Sequence, residues 1–160
     1  MAGAGKSHLA SELGRRTGLP VVHLDRIFWR AGWAPAPRDE ALPELHAAIE
    51  APRWILGGNF LGDDQSRFAR ADTVVFLDVP RRRALRRVLT RLVRDRGRSR
   101  PDLPDGAGEG FDLPLLLWVW RYPHDNRPRV LELLARLRER GLAVHQLHSD
   151  ADVRRFLESL

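Results

Sequence analysis

The pattern of apolar positions along the chain predicts four short strands separated by helices. Strands are predicted at 20–25, 54–59, 72–78 and 143–147, where apolar and β-branched residues cluster between Gly, Pro or charged residues. The clearest is 72–78, whose interior is almost entirely apolar and whose last residue is an Asp. Strands that alternate with helices are typical of an α/β fold with a parallel sheet.

Helices are predicted where apolar residues recur at intervals of three and four. The first follows Lys6 through Leu9, Ala10 and Leu13 and stops at Gly18. Further helices are predicted at 38–50, with a kink or restart at Pro43, at 61–70, 81–96 and 113–122, in a long segment ending at Arg140, and after a capping pair formed by Ser149 and Asp152. The segment 96–110, rich in Pro and Gly, is the one long loop expected.

Length and composition fit a single globular domain over 1–160. The chain is 43% apolar and 30% charged, as in ordinary globular proteins. No apolar run reaches the roughly 20 residues needed to cross a bilayer, and no signal sequence is visible, so we expect a cytoplasmic protein without a membrane partner. The absence of cysteine excludes disulfides and thiolate metal sites.

The basic charge balance points to anionic partners. The formal net charge is +6, and arginines cluster in the middle of the chain. Nucleic acid is one class of partner consistent with this balance; polyanionic small molecules and an ordinary solvated surface are the alternatives. Net charge by itself does not favour nucleic acid.

The strongest chemical motif lies at the start of the chain, at Gly3-Ala4-Gly5-Lys6-Ser7. In the pattern G-x-x-x-x-G-K-[ST], backbone N–H groups surround phosphates, the lysine reaches the β/γ-phosphates and the hydroxyl holds Mg²⁺. The leading glycine would fall one residue before Met1, so a flexible Gly/Ala start is the alternative. Lys6 is the one lysine in a chain with 27 Lys and Arg residues, which favours a specific role for its compact ammonium. We expect the segment to bind ATP through Gly3, Ala4, Gly5, Lys6, Ser7 and His8, with Ser7 on Mg²⁺.

Polar residues that end the predicted strands are further candidates. Asp78 closes the third strand, as a Mg²⁺-orienting acid does beside a phosphate loop, or it caps the next helix. Asp25 closes the first strand and either meets substrate or a Mg²⁺-bound water, or caps a turn. Asn59 follows two glycines, and its amide either binds substrate or forms a turn.

Three large aromatic residues, Phe28, Trp29 and Trp33, occupy the connection after the first strand. They could stack on a planar substrate or pack the loop onto the core. Trp29 is the one we assign to substrate.

Arginines are predicted to neutralise phosphate charge. Arg67 is a candidate for binding substrate anions, although an arginine near a helix end needs no such role. Arg98, Arg121 and Arg127 flank the glycine-rich segment and are predicted to be catalytic, in a lid-like segment of about 96–127 that closes over the triphosphate.

The order of these motifs resembles that of small P-loop kinases of the adenylate kinase-like group, and most closely the bacterial family labelled topology modulation protein. The resemblance covers nearly all of the chain. It is carried by Gly5-Lys6-Ser7, Val22-His23-Leu24-Asp25, Gly58-Asn59, Val75-Phe76-Leu77-Asp78 and Leu117-Trp118-Val119-Trp120-Arg121-Tyr122-Pro123. It implies a three-layer α/β/α P-loop NTPase fold with a parallel sheet, ATP and Mg²⁺ as cofactors, and phosphoryl transfer to a small acceptor.

The chain departs from this family in three places. Gly57 stands where similar proteins often carry an acid, and His8 replaces a second hydroxyl residue. Such folds also place a strand before the phosphate loop at the centre of the sheet, between the strands that end at Asn59 and Asp78. That first strand is missing from the N-terminus, so we expect it about ten residues upstream, since unpaired buried backbone groups are costly.

The leading expectation is therefore an ATP-dependent phosphotransferase whose acceptor is a nucleotide, a nucleoside or another small hydroxyl compound. One alternative is a nucleic-acid-associated P-loop ATP-binding protein that uses the arginines of 81–100. The other is an N-terminally truncated, inactive module.

Overall fold

The computed structural model describes residues 1–59, 66–94 and 113–160. The elements are α1 (Lys6–Thr17), β1 (Val21–His23), α2 (Leu24–Phe28), a 3₁₀ turn (Ala31–Trp33), α3 (Arg38–Glu50), β2 (Ile55–Gly57), α4 (Ser66–Arg70), β3 (Thr73–Leu77), α5 (Arg81–Arg94), α6 (Leu113–Asp125), α7 (Arg127–Glu139), β4 (Ala143–Leu147) and α8 (Asp150–Glu158). The α/β class predicted from the sequence is confirmed.

The strands form two parallel pairs. β1 pairs with β2 from Val21↔Ile55 to His23↔Gly57. β3 pairs with β4 over five positions, from Thr73↔Ala143 to Leu77↔Leu147. Parallel neighbours need long crossovers, which α2 and α3 supply for the first pair. The three-layer P-loop NTPase arrangement stays a prediction.

The chain divides into two compact units, which we describe one at a time. Unit 1 contains residues 1–5, 63–90 and 112–160, and unit 2 contains residues 6–62 and 91–111. Unit 1 holds the β3–β4 sheet, and unit 2 holds the β1–β2 sheet. The single domain expected over 1–160 stays a prediction.

In unit 1, α7 and α8 pack against β4. Val130, Leu134 and Leu137 lie on one face of α7 at helical spacing and are buried. α8 begins with the predicted capping box: the Ser149 amide donates to Asp152 Oδ2 at 2.8 Å, and the Asp152 amide donates to Ser149 Oγ at 3.2 Å.

In unit 2, α1 lies directly against the sheet because glycines let the backbones approach. A Cβ on Gly57 would lie 2.9 Å from Ala10 Cβ, and one on Gly14 would lie 2.4 Å from Val21 Cγ2. A separate apolar cluster joins α2 to α3, with Ala41, Leu45, Ile49, Leu24, Ile27 and Ala36 buried.

Several element boundaries differ from the sequence prediction. The first strand ends at His23 rather than at 25, so Asp25 lies in the first turn of α2. β2 is shorter than 54–59, and α6 continues through Pro123 to Asp125 instead of stopping at 122. The structure bears out the predicted helix at 38–50, which runs through Pro43, and the predicted strand at 143–147.

Other predicted segments are only partly covered. The helix predicted at 61–70 is seen as α4, since 60–65 lie outside the described residues. The helix predicted at 81–96 is described to Arg94, and the loop predicted at 96–110 lies outside the described residues. Among the described helices, none is long and apolar enough to cross a membrane.

Candidate functional site

The first five residues of the chain form a tight turn that leads straight into α1. Gly3 has φ 71° and Gly5 has φ 96°, both in the left-handed region that favours glycine. Gly3 also lies so close to α5 that a Cβ would come within 2.3 Å of the Ala84 carbonyl oxygen. Ala4 is buried. Packing against α5 therefore fixes the loop conformation, and only glycine fits at Gly3.

The first turn of α1 supplies positive potential. α1 begins at Lys6 and Ser7, and its first turn contains no acidic residue. Lys6 and Ser7 are half-buried, and His8 is exposed. The first N–H groups of a helix lack intrahelical partners and carry the positive end of the helix dipole, so anions are favoured there.

Arg87 on α5 lies beside the loop and was not singled out from the sequence. Its Nη1 donates to the Ala4 carbonyl oxygen at 3.4 Å and lies 3.7 Å from the position of a Cβ on Gly5. Its Nη2 donates to Asp150 Oδ1 at 2.6 Å, and this bond holds the pKa of the Asp150 carboxyl below its usual value. Asp150 therefore stays ionised and orients a second cation toward the loop.

The carboxyl end of β3 carries an ion pair between a buried carboxylate and a partly exposed guanidinium. Asp78 Oδ1 accepts from Arg127 Nε at 2.9 Å, and Asp78 Oδ2 accepts from Arg127 Nη2 at 2.8 Å. Gln146, on the neighbouring strand, donates to the same Oδ2 at 2.8 Å, and His148 Nδ1 lies 3.6 Å away from it. The Asp78 side chain is 7% exposed. Two of the residues predicted for the site, Asp78 and Arg127, are thus brought together.

Opposing effects act on the pKa of Asp78. Burial raises the pKa of this carboxyl, but the hydrogen bonds from Arg127 and Gln146, together with the charges of Arg127 and His148, bring it below the usual 3.8. Arg127 is the first residue of α7, where the helix dipole disfavours a cation. The Asp78 carboxylate offsets that cost.

Tyr122 on α6 is the buried neighbour of this pair. The sequence placed it in a motif that carries the family resemblance but gave it no role in the site. It is 1% exposed, and its hydroxyl has no hydrogen-bond partner within the described part of the chain. Burial, together with the charge of Asp78, raises its pKa to about 12. The ring of Trp118 meets the Tyr122 ring edge to face at 5.3 Å. Tyr122 is therefore a neutral hydroxyl near the ion pair.

The arrangement around Asp78 was tested against the predicted Mg²⁺ role. Both carboxylate oxygens accept N–H donors, so this geometry does not offer the carboxylate to a metal. Across 1–59, 66–94 and 113–160, no group of three or more His, Cys, Asp or Glu residues is placed to hold one. The assignment of Ser7 and Asp78 to Mg²⁺ stays a prediction.

The other predicted residues of unit 2 follow one edge of its sheet. Because His23 pairs with Gly57, Asp25 and Asn59 each come two residues after the end of a paired strand. Asp25 and Asn59 are half-buried, and Trp29, further along the chain, is 36% exposed.

Of the remaining predicted arginines, Arg67 and Arg121 fall within the described residues. Arg67 is buried in α4, with its guanidinium 4.7 Å from the centre of the Phe68 ring. Arg121 is exposed on α6, and Arg98 lies outside the described residues.

The chain matches no protein-family model, no curated protein and no solved structure. The resemblance to the topology modulation family stays a prediction.

Proposed function

We propose that the protein is an ATP-dependent phosphotransferase that acts on a small acceptor. The observation that carries the proposal is the loop at residues 1–5, which has two left-handed glycines and runs directly into a helix beginning Lys6-Ser7. Backbone N–H groups at such a loop and helix start, with a lysine and a hydroxyl next to them, suit the phosphates of ATP.

Each part of this segment has a distinct role in the proposal. Gly3 and Gly5 keep the backbone in the conformation that lets N–H groups converge on one anion. Lys6 binds the outer phosphates as a compact charge, and Ser7 offers a hydroxyl beside it. Arg87, which pairs with Asp150, donates to the Ala4 carbonyl oxygen and so helps to hold the loop in this conformation.

ATP would supply the phosphoryl group, and Lys6 would neutralise part of the negative charge on its phosphates. The acceptor oxygen forms a new bond to the γ-phosphorus while the bond between that phosphorus and the ADP oxygen breaks. The acceptor proton passes to solvent. The chain contributes by positioning and by fixed positive charge rather than by covalent chemistry.

The Asp78–Arg127 pair holds the start of α7 at the carboxyl end of β3. In the proposal Arg127 is a positioning residue in this arrangement, since its guanidinium is committed to Asp78. A phosphate that approached Arg127 would have to compete with a buried carboxylate.

Nucleic acid receives less support as a partner. Two of the α5 arginines are engaged within the chain: Arg81 stacks on the Trp120 ring at 3.9 Å, and Arg87 pairs with Asp150. That leaves fewer of the arginines on this helix for a phosphate backbone.

The test is ADP release from ATP over a panel of hydroxyl-bearing acceptors, together with ATP binding by calorimetry. Lys6→Ala is expected to lower both by at least tenfold, since it removes the ammonium that meets the phosphates. Arg15→Ala is the matched control: it removes one positive charge from the same helix at a side chain that is 69% exposed. Equal activity in wild type and Lys6→Ala, or equal losses in the two variants, would contradict the proposal.

A further inference from the structure

Two tryptophans on the connection after α2 are exposed to solvent. Trp29 is 36% exposed and Trp33 is 41% exposed. Their ring centres are 6.0 Å apart, and the ring planes meet at 71°. The rings meet edge to face, and more than a third of each residue is exposed, so both present apolar surface to solvent.

The segment that carries this pair is held at both ends. Trp29 bridges to Pro35 in antiparallel fashion, the Arg30 amide donates to the Ala34 carbonyl at 2.8 Å, and the Ala36 amide donates to the Phe28 carbonyl at 2.9 Å. The Arg30 side chain donates to the Ile27 carbonyl at 3.0 Å. The rings are thus presented by a hairpin-like loop with fixed ends rather than by a loose connection.

Trp33 has a left-handed backbone conformation, which is unfavourable for a residue with a bulky side chain. Its φ is 63°, the one positive value at a non-glycine residue in the described ranges. A bulky side chain in the left-handed region is strained, and such strain persists only where the surroundings impose it. Gly32, with φ 69°, directly precedes it.

The buried core beneath the loop is built from other side chains. Ile27 and Ala36, which flank the loop, are buried, as are Leu45 and Ala41 of α3 at 0% exposure. Among the described residues, neither tryptophan belongs to this cluster or to the partly buried hydrophobic residues packed against it. Two unfavourable features, exposed ring area and backbone strain, are retained together.

We propose that the Trp29–Trp33 pair is a stacking site for a planar heteroaromatic ring, the base of a nucleoside or nucleotide. Two ring planes at 71° form a corner in which a planar ring stacks on one wall and meets the other with its edge. The role of this site in catalysis rests on the proposed phosphotransferase function, where the ring belongs either to the acceptor or to ATP; binding of the ring itself does not depend on that function.

The experiment is calorimetric titration of the full chain with adenosine, with ribose as the ring-free probe. Wild type is expected to bind adenosine and not ribose. Trp29→Leu and Trp33→Leu are each expected to weaken adenosine binding about tenfold, the effect of losing one stacking partner. Trp120→Leu is the matched control, since Trp120 is another exposed tryptophan, on α6 in unit 1, and it should leave affinity unchanged.

Trp33→Gly distinguishes the loss of the ring from a loss of stability, because glycine adopts the left-handed backbone without strain and carries no ring. It should fold at least as well as Trp33→Leu and still lose adenosine binding. Adenosine affinity within twofold of wild type in Trp33→Gly, or equal binding of ribose and adenosine, would overturn the proposal.

A competition experiment distinguishes the two sources of the base. If saturating ATP leaves adenosine affinity within twofold, the site takes the acceptor; if ATP displaces adenosine, and Trp29→Leu weakens ATP too, the site takes the base of ATP. Both outcomes support a stacking site. Loss of phosphotransfer in Lys6→Ala with no effect of the tryptophan changes would remove this inference and leave the proposed function standing.

Discussion

The carboxyl ends of the two sheets have opposite characters. Behind β3 and β4, Asp78 is buried and its oxygens accept from Arg127 and Gln146. Behind β1 and β2 the chain passes through α2 into a loop whose two tryptophans are exposed and one of which is strained. At the end of the β3–β4 sheet a charged side chain is paired within the protein, whereas after the β1–β2 sheet apolar ring surface is exposed to solvent. A buried charge needs a partner within the protein. Exposed aromatic surface on a strained backbone is instead typical of a site that binds another molecule.

The ion pair at the end of β3 is tested most directly by changing Arg127. Arg127→Gln leaves the buried Asp78 carboxylate without its cation, and we expect a loss of about 2 kcal/mol of unfolding free energy, measured by urea denaturation. This is less than for a fully buried pair, because the Arg127 side chain is 39% exposed. Arg129→Gln is the control, on the same helix at an exposed position, with an expected change within about 0.5 kcal/mol. Similar small effects in both would mean that the pair contributes no more than a surface contact.

Two glycines with the same positive φ, Gly3 and Gly18, test how closely the first loop packs on α5. Gly3→Ala brings a Cβ within 2.3 Å of Ala84 O, whereas Gly18, with the same φ of 71°, has no atom within 4 Å of that position. Both alanine variants carry the conformational cost of about 1–2 kcal/mol, and Gly3→Ala adds about 1–3 kcal/mol of overpacking. Equal thermal unfolding midpoints for the two variants would show that the loop does not pack on α5 as described.

The pH dependence of stability tests the charge on Asp78. Its pKa is lowered by folding, so its contribution is fully present above the unfolded value near 3.8 and is lost as pH falls through the lower folded value. Relative to Asp78→Asn, wild type should be more stable by about 2 kcal/mol at pH 7, and the difference should shrink below pH 3.8. A difference independent of pH between 7 and 2 would show that ionisation is not its origin.

The smallest effect is expected at the strained tryptophan. Trp33→Gly should be more stable than Trp33→Ala by about 1 kcal/mol, because only glycine adopts a φ of 63° without steric cost. The same pair of changes at Trp29, whose φ of −127° is extended, should favour alanine slightly. Urea unfolding of the four variants measures both differences. If the alanine variant were the more stable one at both positions, the Trp33 backbone would not be strained.

The elements best predicted from the sequence are those with strong local patterns. The helix at 38–50 and the strand at 143–147 were located by periodicity, and the capping box at Ser149 by residue type. Two boundaries were predicted wrongly. Pro123 was predicted to end the helix that begins at 113, and Asp25 was predicted to end a strand. Packing of Val119 and Tyr122 holds α6 together through Pro123, and Asp25 is in a helix because α2 buries Leu24 and Ile27.

The candidate site was less predictable, because its partners are far apart in sequence. Asp78 and Arg127 were each selected, but their pairing depends on α7 meeting the β3 end, 49 residues away. Arg87 was considered only as one of the arginines of 81–100, and nothing in the local pattern distinguishes it from its neighbours. The positive φ of Trp33 likewise has no signature in the residue type.

The contacts of Arg87 that support the candidate phosphate loop join residues that are made at different times during synthesis. Arg87 reaches Ala4 over 83 residues and Asp150 over a further 63. At roughly 5–20 residues synthesised per second, roughly 7–30 seconds separate the making of residue 4 from that of residue 150. During synthesis the first residues of the chain therefore exist for this time before Asp150, at the start of α8, is made and can orient Arg87.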